Sequence, residues 1–420
     1  MRRYKPALAA LVTVALLVAG CSSSSKSTSN SSGTTTGSTA PAGSASGKSY
    51  TIGVLTDLTG PGSVTGDTTL QGIKAGIGVA AQEGYNIHYV VADTGTSLTQ
   101  TLTADQKLVE SDHVFAVMQI SVVGFAGASY LTKAGIPVIG GDVDGQEWLT
   151  SRNMFSAFGF EDYTKVQTTN GLIIKGLGGT DFGSIGYSIE PSSYDDAKQA
   201  AASVQAAGLK AGYVNTQVPL GSTNMAPIAI AMKNAGVDSI FPVVTTQTSF
   251  ALVQALRQEG VNLKAGLMAT GYGGDLTGGG PGASQAAQGL YFVSAYAPVE
   301  MHTAATEKFQ NALKTYAGWT AEPTLSEYMG YASIAAFVDG LQKAGPNPTQ
   351  ASFINTMLGI TNFDADGLWD GHTVSFALAN RGYIADADNC AFVVRYEGTT
   401  FHLVPGMDPI CGQTIPGKTI

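Results

Sequence analysis

The stretch that constrains this chain most is Tyr50–Gly76, YTIGVLTDLTGPGSVTGDTTLQGIKAG. Its opening residues, Tyr50–Leu55, form an apolar run with the length of a buried strand. Asp57 follows, then a turn-rich loop carrying Gly60, Pro61, Gly62 and Gly66. Thr68 is placed to cap a helix whose apolar residues Leu70, Ile73, Ile77 and Val79 recur at helical spacing. Strand, glycine-rich loop and helix make the first half of a βαβ unit. In open α/β sheets ligands sit beyond the carboxyl ends of the strands. The loop Asp57–Asp67 is therefore a candidate pocket rim, with an ordinary βα turn as the alternative.

The same alternation continues. Ile87–Ala92, Val114–Met118, Ile136–Ile139 and Met154–Phe158 read as strands, with helices at Thr99–Ser111 and Phe125–Lys133 between them. Short connections between alternating strands and helices predict a parallel, doubly wound sheet. The pattern then restarts. A helix is expected at Thr164–Leu177, followed by strands at Ser184–Ile189, Ala211–Val214, Ser239–Val244, Gly266–Ala269 and Leu290–Val293. From Thr303 the chain reads as mainly helical, and Phe363–Trp369, Val374–Phe376, Phe392–Tyr396 and Phe401–Val404 as terminal β structure. Two α/β units of similar make-up predict two lobes.

Ahead of all this, Arg2, Arg3 and Lys5 precede an apolar run, Ala7–Ala19, that is too short for a membrane span. The run ends in Leu17-Val18-Ala19-Gly20-Cys21, which resembles a bacterial lipoprotein signal cleaved before Cys21. That resemblance implies a lipid on Cys21, with a plain secretory peptide as the alternative. Residues 21–49 are almost entirely Ser, Thr, Gly and Ala and read as a tether. The 22 basic and 31 acidic residues give a net charge of −9, and loss of the leader's three cations takes it to −12. Such a balance argues against nucleic acid and against anionic lipid as partners. In an exported chain, the two remaining cysteines, Cys390 and Cys411, read as a disulfide. Five histidines without ligand-like spacing make a structural metal site unexpected, and no cofactor is expected.

Enzyme readings find little support. Asp93-Thr94-Gly95 mimics an aspartic-protease triplet, but no second Asp-Thr/Ser-Gly exists to share the proton. There is no Gly-x-Ser-x-Gly elbow and no phosphate-binding Gly-x-x-x-x-Gly-Lys-Ser/Thr loop. The glycines of Gly271–Gly282 read as a flexible loop.

Several segments taken in order carry a family resemblance. Ile52-Gly53-Val54-Leu55-Thr56-Asp57-Leu58-Thr59-Gly60-Pro61 resembles the opening strand and loop of the leucine/isoleucine/valine-binding proteins, and Gln71–Gly76 their first helix. Ala134–Ile139, Ala235–Phe241, Arg257–Val261 and Ala287–Phe292 resemble later segments at matching spacing. The resemblance implies an α/β fold of two doubly wound lobes joined by three hinge crossovers, the type I periplasmic-binding-protein fold. It places crossovers near Glu161, Tyr296 and Phe363. Lobe 1 would then hold 50–161 plus 296–363, and lobe 2 would hold 162–295 plus 364–420. It further implies an extracytoplasmic, lipid-anchored, monomeric receptor. Such a receptor captures a small polar solute, such as a branched-chain amino acid or an amide, and delivers it to an ABC permease. A ligand sensor of the same fold is the alternative.

The resemblance also implies ligand contacts. Ser121, in the loop after the third strand, matches a hydroxyl offered to a ligand carboxylate, or else is only an N-cap. Asp142 and Asp144 stand where small hydroxyl residues are usual. They would favour an ammonium, a polyol or an amide over a carboxylate, or else cap a following helix. Tyr194 matches a covering aromatic, Thr245 stands where another aromatic is usual, Thr270 or its neighbour Tyr272 stands where an acidic ammonium partner is usual, and Thr65 matches a lid position.

Overall fold

The computed structural model describes residues 49–66, 68–141, 145–279, 282–381 and 390–420, all within one compact unit that runs from Thr35 to the C terminus. The expected leader, the lipidated Cys21 and the tether lie outside the described residues, as do Asp142 and Asp144.

Five strands build the first sheet: β1 (Ser49–Thr56), β2 (Asn86–Asp93), β3 (Ala116–Ile120), β4 (Val138–Gly140) and β5 (Met154–Ser156). Their order is β2-β1-β3-β4-β5, and every pair is parallel. β3 and β4 are buried along their whole length, as continuous apolar runs demand in a sheet covered on both faces. The chain then crosses over through β6 (Lys165–Gln167) into a second sheet.

That sheet contains β7 (Asp181–Tyr187), β8 (Lys210–Val218), β9 (Ser239–Val243), β10 (Ala265–Met268) and β11 (Tyr291–Ser294). They run β8-β7-β9-β10-β11, the same order as the first sheet, again all parallel. β12 (Cys390–Glu397) and β13 (Thr400–Leu403) extend it as an antiparallel edge. The restart seen in the sequence is thus a repeated topology. β14 (Ile410–Cys411) pairs with β12 and carries the Cys390–Cys411 disulfide, as expected. β15 (Thr414–Thr419) closes back on β6, so Lys165–Gln167 is a strand where the sequence pattern predicts a helix start. The tail's hydrogen bonds override the local propensity there. The bridge closes a loop of sequence separation 21. Replacing both cysteines with serine should lower the unfolding free energy by about 3 kcal/mol in a denaturant titration, and a loss under about 0.5 kcal/mol would contradict the expectation.

After β11 the chain returns to the first lobe. The helix Leu325–Ala344 packs along the helix Thr69–Gln82 through glycines. A Cβ on Gly76 would lie 2.7 Å from Ile334, and one on Gly330 would lie 2.7 Å from the Thr69 carbonyl. Glycine here permits the close backbone approach.

The third crossover departs from the sequence expectation. The segment around Phe363 does not leave the first lobe and forms only an isolated bridge, Phe363 with Val374. Phe376 packs on Phe155 and Phe160. Buried Arg381 donates to the carbonyls of Trp148 (3.0 Å) and Ser151 (2.7 Å). The chain therefore still belongs to the first lobe at Arg381 and enters the second sheet by Cys390. A run of aromatics reads equally well as strand or as core-filling loop, and here the guanidinium anchors it as loop. The first two crossings touch, the Tyr296 hydroxyl donating to the Ala157 carbonyl (2.7 Å), and the second also meets the first-lobe segment at Leu368, whose carbonyl accepts from the Ala297 N–H (2.7 Å).

Candidate functional site

In each sheet the strand order reverses at one point: between β1 and β3 in the first, between β7 and β9 in the second. Crevices at such points are where open α/β sheets take ligands. Here the two crevices open onto one cavity of about 340 Å³. Asp57 follows β1 and Ser121 follows β3. From the facing lobe come Tyr187 at the end of β7, Thr245 after β9, Thr270 after β10 and Ala295 after β11. The helix Leu325–Ala344 adds Leu325, Ser326 and Met329 at its start. Phe158, Phe160, Tyr163, Phe241 and Trp369 give the cavity aromatic walls.

The first loop is pinned from below by Asp93. Its Oδ1 accepts from the N–H groups of Leu58 (3.0 Å), Thr59 (3.2 Å) and Gly95 (2.9 Å). Burial opposes ionisation of Asp93, but these bonds and the Thr59 hydroxyl outweigh it and hold the carboxyl below its ordinary range. The protease-like triplet is thus a loop anchor.

Asp57 occupies the ground between β1 and β3. Its Oδ1 accepts from the Thr94 hydroxyl and from Ser121 Oγ (2.7 Å), and its Oδ2 accepts from the Val122 N–H (2.9 Å). Ser121 Oγ in turn accepts from the Val123 N–H (3.2 Å). The hydroxyl and the amide that would receive a ligand carboxylate are therefore already bonded to a carboxyl of the chain itself. Burial still pushes Asp57 above its ordinary range despite those bonds.

Three further carboxyls line the same space: Glu161, Glu190 and Asp196. Glu161 accepts from Gln167 and from Gln199 (3.0 Å), while burial lifts it to about 7. Glu190 accepts from the Ser192 hydroxyl, and burial, reinforced by Asp57, lifts it to about 8. Asp196 is also raised, by burial and then by repulsion from Glu161 and Glu190. No lysine or arginine lines the cavity among the described residues.

Of the sequence-predicted contacts, Ser121, Thr245 and Thr270 come together around this cavity. All three hydroxyls are engaged within the protein. Thr245 Oγ1 lies 2.7 Å from the Tyr187 hydroxyl, which also reaches Thr248 Oγ1 (2.8 Å), and Thr270 Oγ1 donates to the Val244 carbonyl (3.0 Å). Tyr194 is not among the lining residues; its half-buried ring lies beneath the Lys198 ammonium, 5.0 Å away. Tyr187 supplies the phenol at the cavity instead. Thr65 lies in the short helix Ser63–Gly66, and its side chain is outside the description. Asp57 opens the loop read as a candidate pocket rim and does line the cavity, while Glu161, Glu190, Asp196 and Tyr187 escape the sequence reading as ligand contacts. The acidic residues in the loops after β1 and β7, Asp57 and Glu190, carry the usable signal.

Among the described residues the one three-membered group of metal-ligand type is His372, Cys390 and Cys411, and its two sulfurs are bonded to each other. No described helix is long and apolar enough to cross a membrane.

Residues 49–400 match the family model for periplasmic binding proteins. Solved structures share the fold. The leucine-binding protein LivK of Thermotoga maritima is 16% identical with a TM-score of 0.68, covering 84% of this chain and 97% of its own. The branched-chain amino acid transporter substrate-binding protein LivJ of Streptococcus pneumoniae, in complex with isoleucine, is 17% identical with a TM-score of 0.67 over 88% and 99%. An ABC-transporter solute-binding protein of Rhodopseudomonas palustris, in complex with 4-hydroxybenzoate, is 15% identical with a TM-score of 0.69 over 89% and 97%. No curated protein sequence matches the chain.

Proposed function

Because the chain belongs to the periplasmic binding protein family, we propose that it is the solute receptor of an ABC importer. In this reading the receptor captures a small molecule between its lobes, closes around it and presents the closed form to a permease, without altering the solute. The observation that carries it is the single cavity walled by the switch points of both sheets. A site split between two lobes couples occupancy to hinge closure, which is the property a permease reads. Anchoring to the membrane by a lipid on Cys21 belongs to the same proposal.

A thermal-shift screen tests it. Folded, ligand-free protein is heated with amino acids, amides, polyols, aromatic acids and amines. A true ligand at a hundred times its dissociation constant adds about 2.7 kcal/mol of stability. At least one class should raise the melting temperature, and failure of all of them would overturn the reading.

A further inference from the structure

We infer that the solute held in this cleft is an organic ammonium ion with an apolar body and no free carboxylate. The inference rests on the receptor reading and deepens it. Four observations carry it.

The donors suited to a ligand carboxylate, Ser121 Oγ and the Val122 N–H, are both bonded to Asp57. An entering carboxylate would have to displace a buried one to reach them. Carboxyls also face the cavity from both sides: Asp57 from the first lobe, Glu190 and Asp196 from the second, and Glu161 at the crossover. Among the described residues the cavity lining supplies no lysine or arginine to balance them, and none gives the Asp196 carboxyl a hydrogen bond. Without a cation the carboxyls avoid like-charge repulsion on closing only by holding protons, whereas a cation lets them ionise and draws the lobes shut. The walls then choose the kind of cation. Aromatic faces such as Phe158, Tyr187 and Trp369 suit an ammonium carried on an apolar frame. Finally, no three of these carboxyls converge closely enough to share one metal ion. Charge spread over a roomy, partly apolar space fits an extended molecule.

Protons follow from the same geometry. Among the described residues the other titratable groups lining the space are His372, Tyr163 and Tyr187. Burial holds part of the Glu161 and Glu190 population protonated at neutral pH. An arriving ammonium favours their ionised forms and so expels protons.

The test is isothermal titration of the full chain at pH 7.5 in 150 mM salt. The probes are phenethylamine, 1,4-diaminobutane and spermidine, with isoleucine, benzoate and 4-hydroxybenzoate beside them. At least one amine should bind one-to-one. Its apparent enthalpy should differ between phosphate and Tris by an amount that reports proton release, and its affinity should rise several-fold from pH 6 to pH 8. Glu190→Gln and Asp196→Asn should each weaken it about tenfold or more while the unliganded melting temperature holds. Binding of isoleucine or a benzoate with no amine binding would overturn this inference and leave the receptor reading standing. Amine binding that both variants leave unchanged would also overturn it, since the cation would then sit elsewhere. Silence from all six probes, in protein whose screen finds some other ligand, would overturn it alone; silence in the screen as well would take the receptor reading with it.

Discussion

Gly72→Ala is expected to cost about 3 kcal/mol or more, on the scale of overpacking against an unyielding neighbour. The helix Thr69–Gln82 meets the helix Leu325–Ala344 here, and a Cβ on Gly72 would press into the Glu327 backbone carbonyl. A flexible side chain could give way, but a carbonyl inside a helix cannot. The contact also bears on the cavity, because Leu325, Ser326 and Met329 reach it from the start of the second helix. That start is fixed by a capping box between Thr324 and Glu327, with the Thr324 hydroxyl 2.6 Å from that of Thr68. Gly84→Ala is the control. Gly84 has φ of +91° with nothing within 4 Å of a Cβ, so only backbone strain of about 1 kcal/mol applies. Urea unfolding of both variants separates the two costs. Equal losses would mean that the helices do not meet through Gly72.

The second large effect concerns Asp105. It is fully buried in the helix Leu98–Glu110, and neither carboxyl oxygen has a partner among the described residues. Gly127 of the helix Phe125–Ala134 packs directly against it. Burial pushes Asp105 up to about 8. The sign follows from linkage. The folded state keeps the proton to about pH 8, whereas the unfolded chain releases it near pH 4, so stability contributed by the neutral acid is full below pH 4. It declines as pH rises and is gone above pH 8. The wild type should therefore lose on the order of 5 kcal/mol relative to Asp105→Asn between pH 4 and pH 9. Comparing the two proteins cancels the contributions of Glu161 and Glu190, which are raised in the same way. Parallel stability curves across that range would contradict the account.

The sequence made the layering legible because strand and helix periods alternate over most of its length. Ile52–Leu55, Ala116–Met118 and Ile240–Phe241 are apolar stretches inside the expected strands, and all are buried. Arg381 shows where the reading stops. Its hydrogen bonds to Trp148 and Ser151 span more than two hundred residues, and they, not the local aromatic pattern, decide which lobe holds 363–381. The site divides in the same way. A loop after β3 could be named from the sequence, and Ser121 lies in it. Its engagement by Asp57, 64 residues away, could not, because nothing near Ser121 announces a partner. Tyr194 and Tyr187 are separated by one turn between strand and helix, and only the strand register decides which phenol meets the cavity.

Amide hydrogen exchange gives the most direct test of a solute clasped between two lobes. The protein is measured with and without the compound that produces the largest shift in the melting screen. Protection should rise together at Ser121 and Val122 on one wall and at Tyr187, Glu190, Ser192, Ser193 and Thr245 on the other, residues that line the shared cavity. Protection confined to one lobe, or to the separate groove between Gly76 and Lys343, would contradict it.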